Sequence, residues 1–144
     1  MNNRSSGFTI IEILLVIGII GIIAVMTMFV NLDFYKTYDF QSEKGKVISL
    51  LEKARSQSLN NINDSKHGVY FDSSNYTLFE GNDYGSRIQS KDQVFPANSR
   101  LSHSGLSEVV FGRLTGDTTG GTITLTDGVH SVTLSLNNEG RIDW

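Results

Sequence analysis

Apolar residues crowd one end of the chain. At positions 8–30, 18 of 23 residues are Ala, Val, Ile, Leu, Met or Phe; the exceptions are Thr9, Glu12, Gly18, Gly21 and Thr27. A helix of that length is about 35 Å long, and the hydrocarbon core of a bilayer is about 30 Å thick, so residues 8–30 predict a transmembrane helix. Beyond residue 30 the apolar positions narrow to one face. Val47, Leu50, Leu51, Ala54 and Leu59 approximate a 3.6-residue repeat, with Glu43, Lys44, Lys46, Glu52, Lys53 and Arg55 mostly off it. Residues 31–62 therefore predict the soluble, amphipathic half of one long helix. Gly45, about 1 kcal/mol worse than Ala in a helix, marks a candidate bend. The polar run 60–65 ends the helix.

After residue 62 the period becomes two. Residues 67–72 and 76–80 flank Ser73, Ser74 and Asn75, which is a hairpin signature. Residues 81–92 are polar and irregular and predict a surface loop. Val94 and Phe95 lead into Pro96, and residues 108–111 form a short strand before Gly112. Residues 121–126 and 129–136 alternate well and are joined by Asp127 and Gly128, the strongest short hairpin signal. A turn at residues 137–140 precedes a last short strand from Arg141 to Trp144. Residues 63–144 thus predict an antiparallel β domain. The whole chain predicts an α+β fold in which the helix's apolar face buries the inner face of the sheet.

The 144-residue length allows one domain. The mean hydropathy of −0.12 averages a membrane span with a polar domain. With no cysteine in the chain, disulfides and thiolate metal sites are excluded. Net charge is −3; removal of residues 1–7 takes away Arg4 and leaves 11 basic against 15 acidic side chains, or −4 before the new amino terminus is counted. A mildly acidic domain is not a general polyanion binder.

Glu12 is the chemical anomaly of the span. A carboxylate inside a membrane segment costs at least about 2.5–3.5 kcal/mol and usually has a partner or a function. Near a helix end it also has the option of reaching the headgroups. An ordinary secretory signal has a shorter apolar core followed by a small-x-small cleavage site, and neither feature is present here. A plain signal anchor fits the length and leaves Glu12 without a role.

Gly7, Phe8, Thr9 and Glu12, preceded by a short polar leader with Arg4 and followed by a long apolar run, resemble the type IV prepilin processing site. The resemblance implies cleavage between Gly7 and Phe8 by a prepilin peptidase on the cytoplasmic side, and N-methylation of Phe8. It also implies that Glu12 faces the amino terminus of a neighbouring subunit during assembly. One helical turn separates Phe8 from Glu12, so cation and carboxylate lie at similar depth. A misplaced subunit would leave that charge unpaired, which fixes register. Arg4 agrees with a cytoplasmic leader and an exported remainder. Gly18 and Gly21 suit close helix packing. Many major pilins carry a proline soon after such glycines; here Phe29 stands near that place and the one proline is Pro96.

The second half resembles the GspH/FimT group of minor pilins and pseudopilins. The residues that carry this likeness are Ala54, Arg55, Ser56 and Ser58 at the helix end, the early hairpin, Phe111 with Gly112 and Gly116, and Gly140 with Arg141. It implies the segments 1–7 (leader), 8–30 (membrane helix), 31–62 (soluble helix) and 63–144 (β domain). The implied role is a subunit of a type II secretion pseudopilus or type IV pilus in the inner membrane, with the β domain periplasmic or extracellular. The implied partners are the peptidase and other pilin-type subunits. An alternative is a DNA receptor for natural transformation, with Arg141, Arg113 and Arg100 as candidate phosphate contacts and Trp144 as a stacking platform. A second alternative is an unprocessed single-pass surface protein.

No enzymatic site is expected. His67, His103 and His130 are widely spaced and read as solvated or strand-surface residues without a metal-ligand pattern. Residues 116–122 superficially resemble a phosphate loop but lack its Lys and precede a strand. Asp72, Asn75, Asn82, Asp83, Asp117 and Asp127 fall at turns without an EF-hand spacing. No cofactor is expected. Asn63 and Asn75 sit in glycosylation tripeptides, a pattern that turn residues often produce.

Overall fold

The computed structural model describes residues 7–144, with the side chains of residues 28–34 excepted. Arg4 and the rest of the leader up to residue 6 lie outside the described residues, as does the side chain of Phe29. A helix, α1 (Ile10–Leu59), is followed by a 3-10 turn at Ile62–Asp64. The strands are β1 (His67–Phe71), β2 (Asn75–Glu80), β3 (Gln93–Pro96), β4 (Ser102–Gly105), β5 (Glu108–Phe111), β6 (Gly121–Thr126), β7 (Ser131–Leu136) and β8 (Ile142–Asp143), with a second 3-10 turn at Gln89–Lys91. The fold is α+β, as the pattern predicts, and pilin-like, as the resemblance implies. The chain divides into two units, Met1–Thr37 and Tyr38–Trp144.

In the first unit every described side chain from residue 7 to residue 27 is exposed. The window Ile10–Thr27 has a mean hydropathy of 2.8, enough in length and composition to cross a membrane.

The second unit holds the core. Its strands form two antiparallel sheets, ordered β3-β2-β1-β5 and β4-β6-β7-β8. Val47, Leu50, Leu51 and Ala54 of α1 pack with Val69, Phe71, Leu78 and Phe111 of the first sheet and with Ile123, Leu125, Leu134 and Leu136 of the second. One helix face thus seals both sheets.

The stripe differs from the sequence reading at both ends. Leu59 is 40% exposed, and the fully buried residue is Ser58, which completes the spacing after Val47, Leu51 and Ala54. Its hydroxyl accepts from the His67 N–H at 2.9 Å and donates to the Phe111 carbonyl at 3.1 Å, so a polar side chain joins the helix end to β1 and β5. Glu43, placed off the stripe by its charge, is buried. It is buried because it is fully used. One oxygen accepts from the Asn98 N–H at 2.9 Å and the other from Lys46 Nζ at 2.8 Å, while Lys46 also donates to the Pro96 carbonyl. Burial, with the charge and hydrogen bond of Glu43, pushes the Tyr76 hydroxyl well above its ordinary value. Gly45 does not interrupt α1. The helix stops at Leu59 because Asn61, Asn63 and Asp64 take positive φ, a region Asn and Asp enter at small cost.

The predicted hairpin of β1 and β2 forms, with a register from His67 opposite Glu80 to Phe71 opposite Tyr76, and Asn75, expected in the turn, begins β2. The hairpin of β6 and β7 has a wider turn than Asp127-Gly128 alone. Thr126 pairs with Ser131, and the Asp127 carboxylate accepts from the N–H groups of Val129 and His130 at 2.8 and 2.6 Å, which holds four residues out of the ladder. Two edge strands, β3 and β4, carry no alternating apolar signal; Pro96 is tolerated because β3 is an edge. Residues 81–92 fold back over the outer face of the first sheet. Tyr84 stacks on Tyr70 at 3.8 Å, meets Phe79 edge-on at 5.7 Å and lies under the Arg87 guanidinium at 3.7 Å. Arg87 is fixed in turn by Asp92 at 2.8 Å. That cover buries Phe79 on the face opposite Leu78. Gly68 leaves the room, since a Cβ there would lie 2.6 Å from the Phe79 ring.

Candidate processing and assembly site

The amino-terminal site is built around a helix start. Thr9 precedes α1, and its side-chain oxygen accepts from the Glu12 N–H at 3.4 Å while its carbonyl accepts from the same group at 3.1 Å. Thr-x-x-Glu is the spacing of a capping box, in which a Thr at the cap and a Glu three residues later suit the exposed N–H groups of the first turn. The acid also opposes the positive end of the helix dipole. Thr9 therefore sets where the helix begins, a role the sequence reading missed although the spacing was visible in it. Gly7 and Phe8 stay outside the helix, with Phe8 80% exposed and open to approach. Phe8, Glu12, Ile13, Val16 and Ile17 line one shallow groove of about 220 Å³, so the carboxylate is carried on an apolar helix face.

The motif residues of the second half converge at the far end of α1. Arg55 donates to the Gly116 carbonyl at 3.4 Å and to the Glu139 carbonyl at 3.1 Å, tying two distant loops to the helix. The Leu114 N–H donates to the Ser58 carbonyl at 2.9 Å. Gly140 has φ +73 and lies so close to the Gly116 carbonyl that no Cβ fits between them. Ala54, Arg55, Ser58, Phe111, Gly116 and Gly140 are thus one packing site, with Arg55 as its clamp.

The three candidate phosphate contacts are not gathered. Arg100 is paired with Asp39 at 2.8 Å, Arg113 with Asp64 at 2.7 Å and Arg141 with Asp143 at 2.6 Å. Asp39 and Arg55 are 16 residues apart on α1, which at the helical rise separates Arg100 from the Arg55 end by about 24 Å. Arg141 lies near that end, where it lines a cleft with Arg55, Glu52 and Leu59. Trp144 is 59% exposed.

The histidines split. His130 is half-exposed, pairs with Asp127 at 3.0 Å and packs on Phe40. His103 is half-buried near Phe71 and Tyr76. His67, expected at the surface, is buried, 3.9 Å from Glu80. Desolvation lowers the His67 pKa against the opposing pull of Glu80. Glu80 is buried as well. Desolvation raises its pKa, but hydrogen bonds from Lys91 and Asn63 and the charges of Lys91 and His67 outweigh it and leave the value below the ordinary one. Among the described residues no three His, Cys, Asp or Glu side chains gather into a metal-binding group.

Residues 2–28 match a family model described as the prokaryotic N-terminal methylation motif. No curated protein and no solved structure matches the chain. The matched segment carries Gly7, Phe8, Thr9, Glu12 and most of the apolar run, and it implies processing by a prepilin peptidase and pilin-type assembly in general. The apolar helix beside it is consistent with membrane anchoring. That motif, at the head of an α+β, pilin-like fold, supports a type IV prepilin-like protein.

Proposed function

We propose that this protein is a minor pilin or pseudopilin of the GspH/FimT type, a non-enzymatic subunit of a type II secretion pseudopilus or type IV pilus. The peptidase cuts between Gly7 and Phe8, and Phe8 becomes the methylated first residue. The apolar helix anchors the chain in the inner membrane by a single pass and later packs in the filament core. The β domain faces the periplasm or the cell exterior. The observation that carries this reading is the helix start. Thr9 caps α1 so that Glu12 stands one turn from the new amino terminus, on a helix face with no cover among the described residues. An ammonium and a carboxylate presented this way are complementary between subunits, and desolvation in the filament makes an unpaired one costly.

The DNA-receptor reading gains less support. Arg100, Arg113 and Arg141 each already hold a carboxylate, and Arg100 is remote from the others.

The test is Glu12→Ala in cells that assemble filaments. The variant is expected to remain in the membrane fraction and to be depleted from sheared filaments. Normal incorporation would remove Glu12 from the assembly mechanism.

A further inference from the structure

Glu80 sits at the end of β2 with a side chain that is only 5% exposed, and it holds two different nitrogen groups at once. Its Oε1 accepts from Lys91 Nζ at 2.8 Å, and its Oε2 accepts from Asn63 Nδ2 at 2.8 Å. An amine and a carboxamide are thereby held against the two oxygens of one buried carboxylate. Ile62, Leu78 and Phe79 line the same cavity of about 320 Å³, together with His67. Asn63 is held there by a backbone at φ 56 and ψ 21, inside the 3-10 turn that follows α1. Lys91 comes from the other 3-10 turn, 28 positions later in the chain.

We infer that Lys91, Glu80 and Asn63 form a self-modification site that joins Lys91 Nζ to Asn63 Cγ in an intramolecular amide. The chemistry balances without any co-reactant. The Lys91 ammonium gives a proton to the Glu80 carboxylate, and the free amine adds to Asn63 Cγ. Glu80 returns the proton to Nδ2 as the C–N bond breaks. Ammonia leaves, carrying the second amine proton as ammonium, and Glu80 is again ionised. A primary amine and a primary carboxamide have become one secondary amide, with no change of oxidation state. Glu80 acts as a general base and then as a general acid on groups already within hydrogen-bond reach. Lys91 is 42% exposed, which gives the departing ammonia a path to solvent.

The product fits what the chain lacks. It has no cysteine, so no disulfide can restrict its unfolded state. An amide between residues 63 and 91 would close a loop containing β1 and β2 and would act on the unfolded ensemble as a disulfide does. The bond would also be indifferent to redox conditions. The inference does not depend on which filament the protein joins.

The experiment is intact-mass measurement of the full chain purified from native membranes, followed by proteolytic mapping. The expected mass is lower by one ammonia than the mature sequence requires, with a branched peptide joining residues 63 and 91. Lys91→Arg keeps the ion pair and therefore the fold, and it is expected to restore the missing mass. Glu80→Gln is expected to do the same by removing the proton carrier. A folded protein, judged by cooperative melting, that keeps its full mass after prolonged incubation at neutral pH overturns the inference. Loss of ammonia without a branched peptide, as from a succinimide at Asn63, overturns it as well.

Discussion

Ile17 and Leu51 lie on the same helix, yet Ile17 is 61% exposed and Leu51 is completely buried. The difference is not in the side chains. Around Leu51 two sheets supply the cover; around Ile17 the described residues supply none. The carboxylates invert in the same way. Glu12 is exposed on an apolar face, whereas Glu43 and Glu80 are buried and fully bonded within the β unit. A buried group whose partners lie in the same chain serves folding. An apolar face with a carboxylate and no cover among the described residues is consistent with membrane anchoring and, on the assembly reading, with packing against other subunits.

The contrast breaks most readily in the core. Phe111→Ala removes a fully buried ring of β5 from the core it shares with α1, and denaturant unfolding of the chain in detergent is expected to show a loss of about 3–5 kcal/mol. Ile17→Ala is expected to move the same transition by less than about 0.5 kcal/mol. Equal effects would mean that the two regions do not differ as described. Ser58→Ala is next in size. It strips the His67 N–H and the Phe111 carbonyl of their shared partner, at about 1–3 kcal/mol.

Acid should act on the β unit as well. His67 and Glu80 both have folded-state pKa values below their ordinary 6.5 and 4.5. The unfolded chain therefore binds more protons in acid, and stability falls as pH drops. Thermal melting should be flat above pH 6.5, decline first through His67 and, where Lys91 and Asn63 are still unlinked, decline further below pH 4.5 through Glu80. A melting temperature that rises on acidification through this range would reverse the sign and contradict the assignment. The smallest effect is at the surface. Arg113→Ala opens an exposed pair with Asp64 and is expected to cost at most about 1 kcal/mol, less in high salt.

How much of this was legible in the sequence follows the range of the forces involved. The amino-terminal motif and the span are local, and residues 7–12 followed by an apolar run can be read without knowing the rest of the fold. The two main hairpins are also local, since alternation and turn residues specify them. What was missed depends on distant partners. Ser58 and Glu43 are polar, and only Phe111, His67, Asn98 and Lys46 make their burial affordable. His67 looked like a surface residue because its cover comes from the helix end and from residues beyond β2. Residues 81–92 looked like a free loop, although Leu78 and Phe79 adjacent in one strand hinted that both faces of the sheet are covered. β4 reads Ser-His-Ser-Gly and has no pattern of its own; it exists because β6 supplies an edge. Arg55 is an ordinary helix charge in sequence and becomes a clamp only when residues 116 and 139 arrive beside it.

The central claim is that the exposed region is a processed assembly element. N-terminal mass spectrometry of the protein from native membranes, with and without the prepilin peptidase, addresses it most directly. The account predicts a peptide beginning at N-methyl-Phe8 that disappears when the peptidase is removed. A chain still beginning at Met1 in peptidase-competent cells would contradict it and would make the helix a plain membrane anchor.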